Sequence, residues 1–182
     1  ILPLRPGTRV ALIGDMAETP RYQGAGSSMV EPTRLDTAKD VIGETSLELV
    51  AFEQGYRRGS GPDAQLEASA VAAAKNADVA IVFMGLDEVS ESEGLDRNHI
   101  DLPKAQVKLL AAVARANPHV IVVLSAGSVV DLSWETHCKA LLHGYLSGQA
   151  GASAIFRLLT GEVTPSGKLA ETYPLTLNNT PT

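Results

Sequence analysis

Runs of consecutive apolar residues recur along the 182-residue chain, separated by longer stretches in which apolar and polar residues mix. A run that is apolar at successive positions, rather than at every second one, is typical of a parallel strand covered by helices on both faces. The predicted strands occupy residues 9–15, 47–52, 79–84, 119–124 and 140–145. A last short strand, antiparallel to the others, is predicted at residues 171–173.

The stretches between these runs carry the start and stop signals of helices. Thr33 and Asp63 stand at positions suited to N-caps, Pro103 suits a first helical turn, and Gly161 ends a helical pattern. The predicted helices cover residues 33–42, 63–76, 103–117 and 148–159. Strands that alternate with helices predict an α/β fold, with a mostly parallel sheet and helices on both faces. We expect one domain over residues 1–182.

Loops at the carboxyl ends of parallel strands emerge along one edge of the sheet, where open α/β folds place their chemistry. The loop at 85–103 is long for a strand-to-helix connection, which usually takes about 2–6 residues. The loop contains one Arg or Lys residue, Arg97, and several acidic residues. The acidic residues are Asp87, Glu88, Glu91, Glu93, Asp96 and Asp101. The loop is therefore either a solvated acidic surface or a functional element.

Charge and composition exclude several classes of partner. A net charge of −6 and a pI near 5.2 argue against binding to nucleic acid or to an anionic membrane. No apolar run approaches the roughly 20 residues that span a bilayer. No leader is visible and Cys138 is the single cysteine, so we expect a cytoplasmic location. The chain opens without an initiator Met, and we expect it to be a piece of a longer protein.

Several kinds of site find no support in the sequence. The four histidines are scattered, so neither a metal site nor a cofactor is expected; His143 is interpreted as a hydrogen-bonded core residue, and the role of His99 stays open. The stretch 24–28 lacks the Gly-x-Gly-x-x-Gly of a dinucleotide site. Ser125 and Ser128 lack the Gly-x-Ser-x-Gly elbow of a serine nucleophile. What remains is a carboxylate that could serve as an acid, and glycosidases need two.

Four segments, in order along the chain, resemble those of glycoside hydrolase family 3. Ser-Glu-Gly-Leu-Asp-Arg at 92–97, followed by Ile-Asp-Leu-Pro at 100–103, resembles the family's acid/base loop. Gly-Ala-Gly-Ser-Ser at 24–28 and Gly-Tyr-Leu-Ser-Gly-Gln-Ala-Gly at 144–151 resemble two further loops. Thr-Pro-Ser-Gly-Lys-Leu, with the Thr and Pro that follow at 172 and 174, resembles the fourth.

The resemblance implies the second domain of a β-glucosidase-like enzyme, a flavodoxin-like α/β sandwich. In that family a separate barrel domain carries the aspartate nucleophile and most sugar-binding residues, while the α/β domain supplies the acid/base glutamate. By its place in the motif that residue is Glu93, whereas Glu91 is not the catalytic position. In the intact enzyme the pKa of Glu93 should be raised by desolvation and by the neighbouring nucleophile.

The same resemblance suggests roles for the residues around Glu93. Ser27, Ser28 and Gln149 would border the aglycone of a small-molecule or oligosaccharide β-glycoside. Asp96 and Arg97 are interpreted as an internal ion pair or a hydrogen-bonded clasp that holds the shape of the loop, and Gly94 gives the backbone freedom beside the acid. Two alternatives stay open: a noncatalytic carbohydrate-binding or interaction domain, and a nucleotide or flavin domain, which would lack its phosphate loop.

Overall fold

The structure of the chain, a computed structural model, describes residues 1–180. Within that range one parallel sheet has the strand order β2-β1-β3-β4-β5. Its strands are β1 (Arg9–Ile13), β2 (Glu48–Glu53), β3 (Val79–Gly85), β4 (Val120–Ser125) and β5 (Ala140–His143). The predicted parallel sheet and the order of its elements are confirmed, with strand ends shifted by a residue or two.

Four α-helices lie in the described part of the chain; the first three connect successive strands from β1 to β4, and the fourth follows β5. They are α1 (Ala38–Val41), α2 (Ala64–Lys75), α3 (Lys104–Ala116) and α4 (Gly151–Leu159). Asp63 is the N-cap of α2, as predicted, and its carboxylate accepts from the backbone amides of Gln65 and Leu66 at 2.9 and 3.1 Å. Pro103 directly precedes α3, where its missing N–H costs nothing.

The first helix begins later than the sequence predicts. Thr37, and not Thr33, is the N-cap, because its hydroxyl accepts from the backbone amide of Asp40. Asp36 is held outside the helix by partners near the start of α4: its backbone amide donates to the Gln149 carbonyl at 2.9 Å, and its carboxylate accepts from the Ser153 hydroxyl. These distant contacts keep the residues before Thr37 extended.

The core lies in two layers, one on each face of the sheet. Ile13, Val82 and Leu124 belong to the layer covered by α2 and α3. Leu12 and Phe83 belong to the layer on the opposite face, covered by α1 and α4. Neighbouring strand residues therefore pack in opposite directions and both find apolar cover, which explains why the interiors of β1, β3 and β4 are apolar at successive positions.

The strand predicted at residues 171–173 is wrong, because this segment is irregular. No hydrogen-bonded ladder within residues 1–180 holds this segment; it contacts side chains at and just after the end of β5. The Ala170 amide donates to the Tyr145 hydroxyl at 3.0 Å, and the Tyr173 ring meets the His143 ring edge-on with 5.8 Å between centroids. Residues 181–182 lie outside the described part.

The strand order places a switch point between β1 and β3. Chain connections run outward to β2 on one side and to β4 on the other, so the loops that follow β1 and β3 diverge there. Ligands of open α/β sheets bind in the crevice at such a point. Below, the β1 loop is residues 14–37, the β3 loop is residues 86–103, and the β4 loop is residues 126–130.

Candidate active site

Glu93 lies near the middle of the β3 loop, and its side chain is exposed at the carboxyl edge of the sheet. The loop starts with a turn in which Asp87 accepts from the backbone amide and the hydroxyl of Ser90 at 2.8 and 2.7 Å. Gly94 follows the glutamate with a φ of 77°, a conformation that L side chains rarely adopt. The predicted need for backbone freedom beside Glu93 is thus met.

Ser27 joins the β1 loop to Glu93. The Ser27 backbone amide donates to Glu93 Oε2 at 3.0 Å, and the Ser27 hydroxyl donates to the same oxygen. Gly26 makes this approach possible, because a Cβ on Gly26 would lie 2.9 Å from the Cβ of Glu93. One contact between the two loops that diverge at the switch point is therefore made through the Glu93 carboxylate.

The electrostatics of Glu93 in this chain differ from those expected in an intact enzyme. Its pKa lies below the ordinary value, because the Ser27 hydroxyl and the Ser27 amide both stabilise the ionised form. A raised pKa of Glu93 is expected beside an ionised nucleophile, and none of the described residues supplies that neighbour. Alone, the chain holds Glu93 as a carboxylate at neutral pH.

Glu91, two residues before Glu93, occupies a contrasting environment. Its carboxylate forms an ion pair with Arg21 at 2.6 Å and accepts from the Gly127 amide at 2.8 Å and from the Ser128 hydroxyl. Burial by itself would raise the pKa of Glu91, but the hydrogen bonds from Ser128, Gly127 and Arg21 outweigh it and lower that pKa. Glu91 is consequently an ionised structural group, in agreement with its noncatalytic assignment.

Arg97 does not form the predicted ion pair with Asp96. Its guanidinium donates to the Ser128 hydroxyl at 3.1 Å and to the Val129 carbonyl at 2.6 Å. Asp96 is exposed and makes no ion pair with Arg97 in residues 1–180. The interpretation of Arg97 as a loop-shaping residue is kept, but its partner is wrong: the loop passes over the β4 loop, whose oxygens lie within reach.

Ser28 and Gln149 lie on the same edge of the sheet but do not contact Glu93. Both residues are exposed. The Ser28 hydroxyl is 3.5 Å from the Ala25 carbonyl, at the limit of a hydrogen bond. The loop of Gln149 is tied to the β1 loop, because the Gly148 amide donates to the Tyr22 carbonyl at 2.9 Å. Of the three predicted substrate-binding residues, only Ser27 reaches the predicted acid.

Arg21 is the residue of this site that sequence reasoning missed. It is buried, and its guanidinium donates to the backbone carbonyls of Leu86 and Glu91 at 3.1 and 3.0 Å as well as to the Glu91 carboxylate. The available signal was charge balance, since Arg21 is the one cation between Met16 and Pro32 and the β3 loop is strongly acidic.

The end of β5 carries a cluster of polar side chains. His143 Nδ1 is 3.2 Å from the Leu124 carbonyl, so the predicted hydrogen bond is present, but the side chain is half-buried and does not belong to the core. The His143 and Tyr145 rings stack with centroids 3.8 Å apart. Burial lowers the pKa of His143, against the opposite effects of the Leu124 carbonyl and of the carboxylates of Glu171 and Glu91.

The described residues contain neither a cluster suited to a metal ion nor a helix suited to a membrane. No group of three or more His, Cys, Asp or Glu side chains in residues 1–180 is arranged to hold a metal ion. No helix in the same range has both the length and the apolar character that crossing a membrane requires.

Comparison with known proteins identifies the family. The model of the glycosyl hydrolase family 3 C-terminal domain matches residues 1–182. The chain is 45% identical over 185 residues to the thermostable β-glucosidase B of Acetivibrio thermocellus, and 43% identical over 192 residues to an exo-α-(1→6)-L-arabinopyranosidase of Bifidobacterium breve. Both alignments cover 100% of the chain but only 24% and 25% of those relatives, so the chain spans about a quarter of their length.

A solved structure agrees with the sequence comparison. The crystal structure of the family 3 β-glucosidase of Bifidobacterium adolescentis superimposes with a TM-score of 0.94 and 44% sequence identity. The match covers 99% of this chain and 27% of that one. The chain therefore belongs to the C-terminal domain family of the family 3 glycosyl hydrolases.

Proposed function

We propose that this chain is the α/β domain of a retaining β-glycosidase and that Glu93 is its acid/base residue. The observation that carries the proposal is the position of Glu93, an exposed carboxylate at the switch point of the sheet. The nearby carboxylate of Glu91 is mostly shielded from water and is held by Arg21 and Gly127. An acid/base group has to reach a substrate that lies outside the domain, and Glu93 has that exposure.

The partner in the proposal is a barrel domain of the same enzyme. The chain covers about a quarter of its relatives' length, which leaves room for a domain that supplies the aspartate nucleophile. Retaining enzymes hold the two carboxyls about 5–5.5 Å apart; the nucleophile forms a glycosyl-enzyme while the acid protonates the leaving oxygen and later deprotonates water. Apposition of the barrel would desolvate Glu93 and place a negative charge beside it, and both effects raise its pKa.

The substrate class is a terminal β-linked glucoside or a related sugar. A named relative acts on β-glucosides, and another is an arabinopyranosidase, so domains this similar serve enzymes with different sugars. The specificity for one sugar over another is therefore determined by the barrel domain. Ser28 and Gln149, exposed at the same edge, would border the aglycone.

Replacing Glu93 in the intact enzyme tests its role. Glu93→Ala should lower kcat/KM for alkyl β-glycosides, whose leaving groups need protonation, by ~100-fold to ~10,000-fold. Glycosylation by an activated aryl β-glycoside should change far less, and azide should restore its turnover by replacing the base-activated water. Glu88→Gln, at another acid of the same loop, is the matched control. Equal loss on both substrate classes, without azide rescue, would remove Glu93 from the role.

The isolated chain provides a second test. With one carboxyl of the pair it should not hydrolyse an aryl β-glucoside above the buffer rate, and calorimetric titration with glucose or cellobiose should give no measurable heat of binding. Clear binding by the isolated chain would favour the noncatalytic carbohydrate-binding alternative, and clear turnover would show that the nucleophile lies within these residues.

A further inference from the structure

The β3 loop is fixed at two points on either side of Glu93, and both points use the β4 loop. Before Glu93, the Glu91 carboxylate accepts from Gly127 and Ser128. After Glu93, the Arg97 guanidinium donates to Ser128 and to Val129. The segment between these two points is short, so a shift of either one moves the acid.

Arg21 supplies the buried counter-charge for the first of these points. Its side chain is 1% exposed and that of Glu91 is 13% exposed, so this ion pair is shielded from water. Arg21 also donates to the Leu86 and Glu91 carbonyls. These two hydrogen bonds fix the backbone of the part of the β3 loop that precedes Glu93. A charge-assisted, multidentate contact of this kind orients groups more strictly than a surface ion pair does.

Glu91 is therefore the carboxylate through which the β1 loop, the β3 loop and the β4 loop are joined. Arg97 and Glu91 also share a partner, because Arg97 donates to the Ser128 hydroxyl and that hydroxyl donates to Glu91. Without that carboxylate, the buried Arg21 guanidinium would lose its counter-charge and two donors of the β4 loop would lose their acceptor. The loop would then have to rearrange, because an unpaired buried charge is costly.

We propose that Glu91, held by Arg21, is a positioning residue that sets the location of Glu93 for proton transfer. The inference rests on the proposed function, since it gives Glu91 no role of its own in the chemistry. General acid–base catalysis depends on hydrogen-bond geometry at the transferred proton, so a displaced Glu93 loses proton transfer before it loses substrate binding.

The test is the ratio of kcat/KM for an alkyl β-glycoside to that for a 2,4-dinitrophenyl β-glycoside, measured with the intact enzyme. Glu91→Gln should lower this ratio by at least ~10-fold, because only the alkyl leaving group needs the acid. A variant that merely contains less folded protein would lower both values equally and leave the ratio unchanged. Glu88→Gln removes a half-exposed carboxylate of the same loop, whose partner is Arg58 at 3.1 Å, and should also leave the ratio unchanged.

Two further variants separate the possible outcomes. Arg21→Lys keeps the positive charge but loses the several N–H donors of the guanidinium, so it should lower the ratio less than Glu91→Gln does. It also provides the test if Glu91→Gln does not fold. In a Glu93→Ala background, Glu91→Gln should have no additional effect on the ratio, because the two residues act through one proton transfer. An additional loss in that background would contradict the proposal.

Failure of this inference differs from failure of the proposed function. If Glu93→Ala lowers the ratio while folded Glu91→Gln and Arg21→Lys leave it within about twofold of wild type, a change of ~0.4 kcal/mol, Glu91 is not a positioning residue. If Glu93→Ala itself leaves the ratio unchanged, the acid/base assignment fails and the positioning role fails with it.

Discussion

The Ser27 amide and the Ser27 hydroxyl both donate to the same oxygen of Glu93, with 3.0 Å between the amide nitrogen and Oε2. This relationship ties the β1 loop to the predicted acid and favours its ionised form. A catalytic acid has to be protonated when the substrate binds. The Ser27 contact therefore opposes the acid role, and the contribution of Ser27 to the pKa can be measured separately.

Replacement of Ser27 should raise the pKa of Glu93. Ser27→Ala removes the hydroxyl, which is the largest cause of the lowered pKa, and keeps the backbone amide. A carboxyl-detected NMR titration of the isolated chain should show the Glu93 pKa moving up towards, without passing, the ordinary value of about 4.3. Ser28→Ala is the matched control, since the Ser28 hydroxyl faces the Ala25 carbonyl instead. An unchanged Glu93 titration in Ser27→Ala would show that the hydroxyl contact is absent in solution.

Gly85, the last residue of β3, should not tolerate a side chain. A Cβ there would overlap the Ser125 carbonyl oxygen, so β3 and β4 would have to separate directly below the β3 loop. Gln106 fixes the same residue from the other side, accepting from the Gly85 amide at 2.9 Å and donating to its carbonyl at 3.0 Å. Gly85→Ala should lower the free energy of unfolding by about 3 kcal/mol or more, as overpacking of a rigid site does.

Urea denaturation of the isolated chain measures this effect, with Gly43→Ala as its control. Nothing lies within 4 Å of a Cβ at Gly43, so that substitution should change the free energy of unfolding by no more than about 1 kcal/mol. A Gly85→Ala protein as stable as the Gly43→Ala protein would mean that the two strands are not packed as closely as described.

The strands of the sheet were predictable because a few consecutive residues are enough to indicate each one. The central strands are continuous apolar runs, such as Val79–Gly85, in which every residue is buried, because two-sided burial allows no polar interruption. The Asp63 cap was predictable for the same reason, since its partners are two and three residues away.

What the sequence did not reveal depends on partners distant in the chain. Arg97 bonds to a residue 31 positions later and Arg21 to one 70 positions later, and no local pattern specifies either contact. The start of α1 was missed because Asp36 is held by Ser153, 117 positions away. The position of Glu93 was predictable from its motif, but the groups that hold the loop around it follow only from the folded arrangement of three strand ends.

His143 should make the stability of the isolated chain depend on pH near neutrality. Burial lowers its folded pKa, whereas the unfolded chain keeps the ordinary value of about 6.5. As the pH falls from that value towards the folded pKa, the unfolded state binds a proton that the folded state resists, and the free energy of unfolding decreases. Above the unfolded pKa both states are neutral and this contribution is constant.

The measurement is the free energy of unfolding in urea from about pH 7.5 to pH 5, a range above the ordinary pKa values of Asp and Glu, about 3.9 and 4.3. His143→Gln should flatten the decrease in this range, because glutamine cannot take up the proton. His137→Gln, at an exposed histidine, should keep the wild-type slope. His143→Gln could instead unfold with the same pH dependence as wild type. That result would mean that the carboxylates of Glu171 and Glu91 compensate fully for the burial of the imidazole. It would also mean that the end of β5 is better hydrated than its packing indicates.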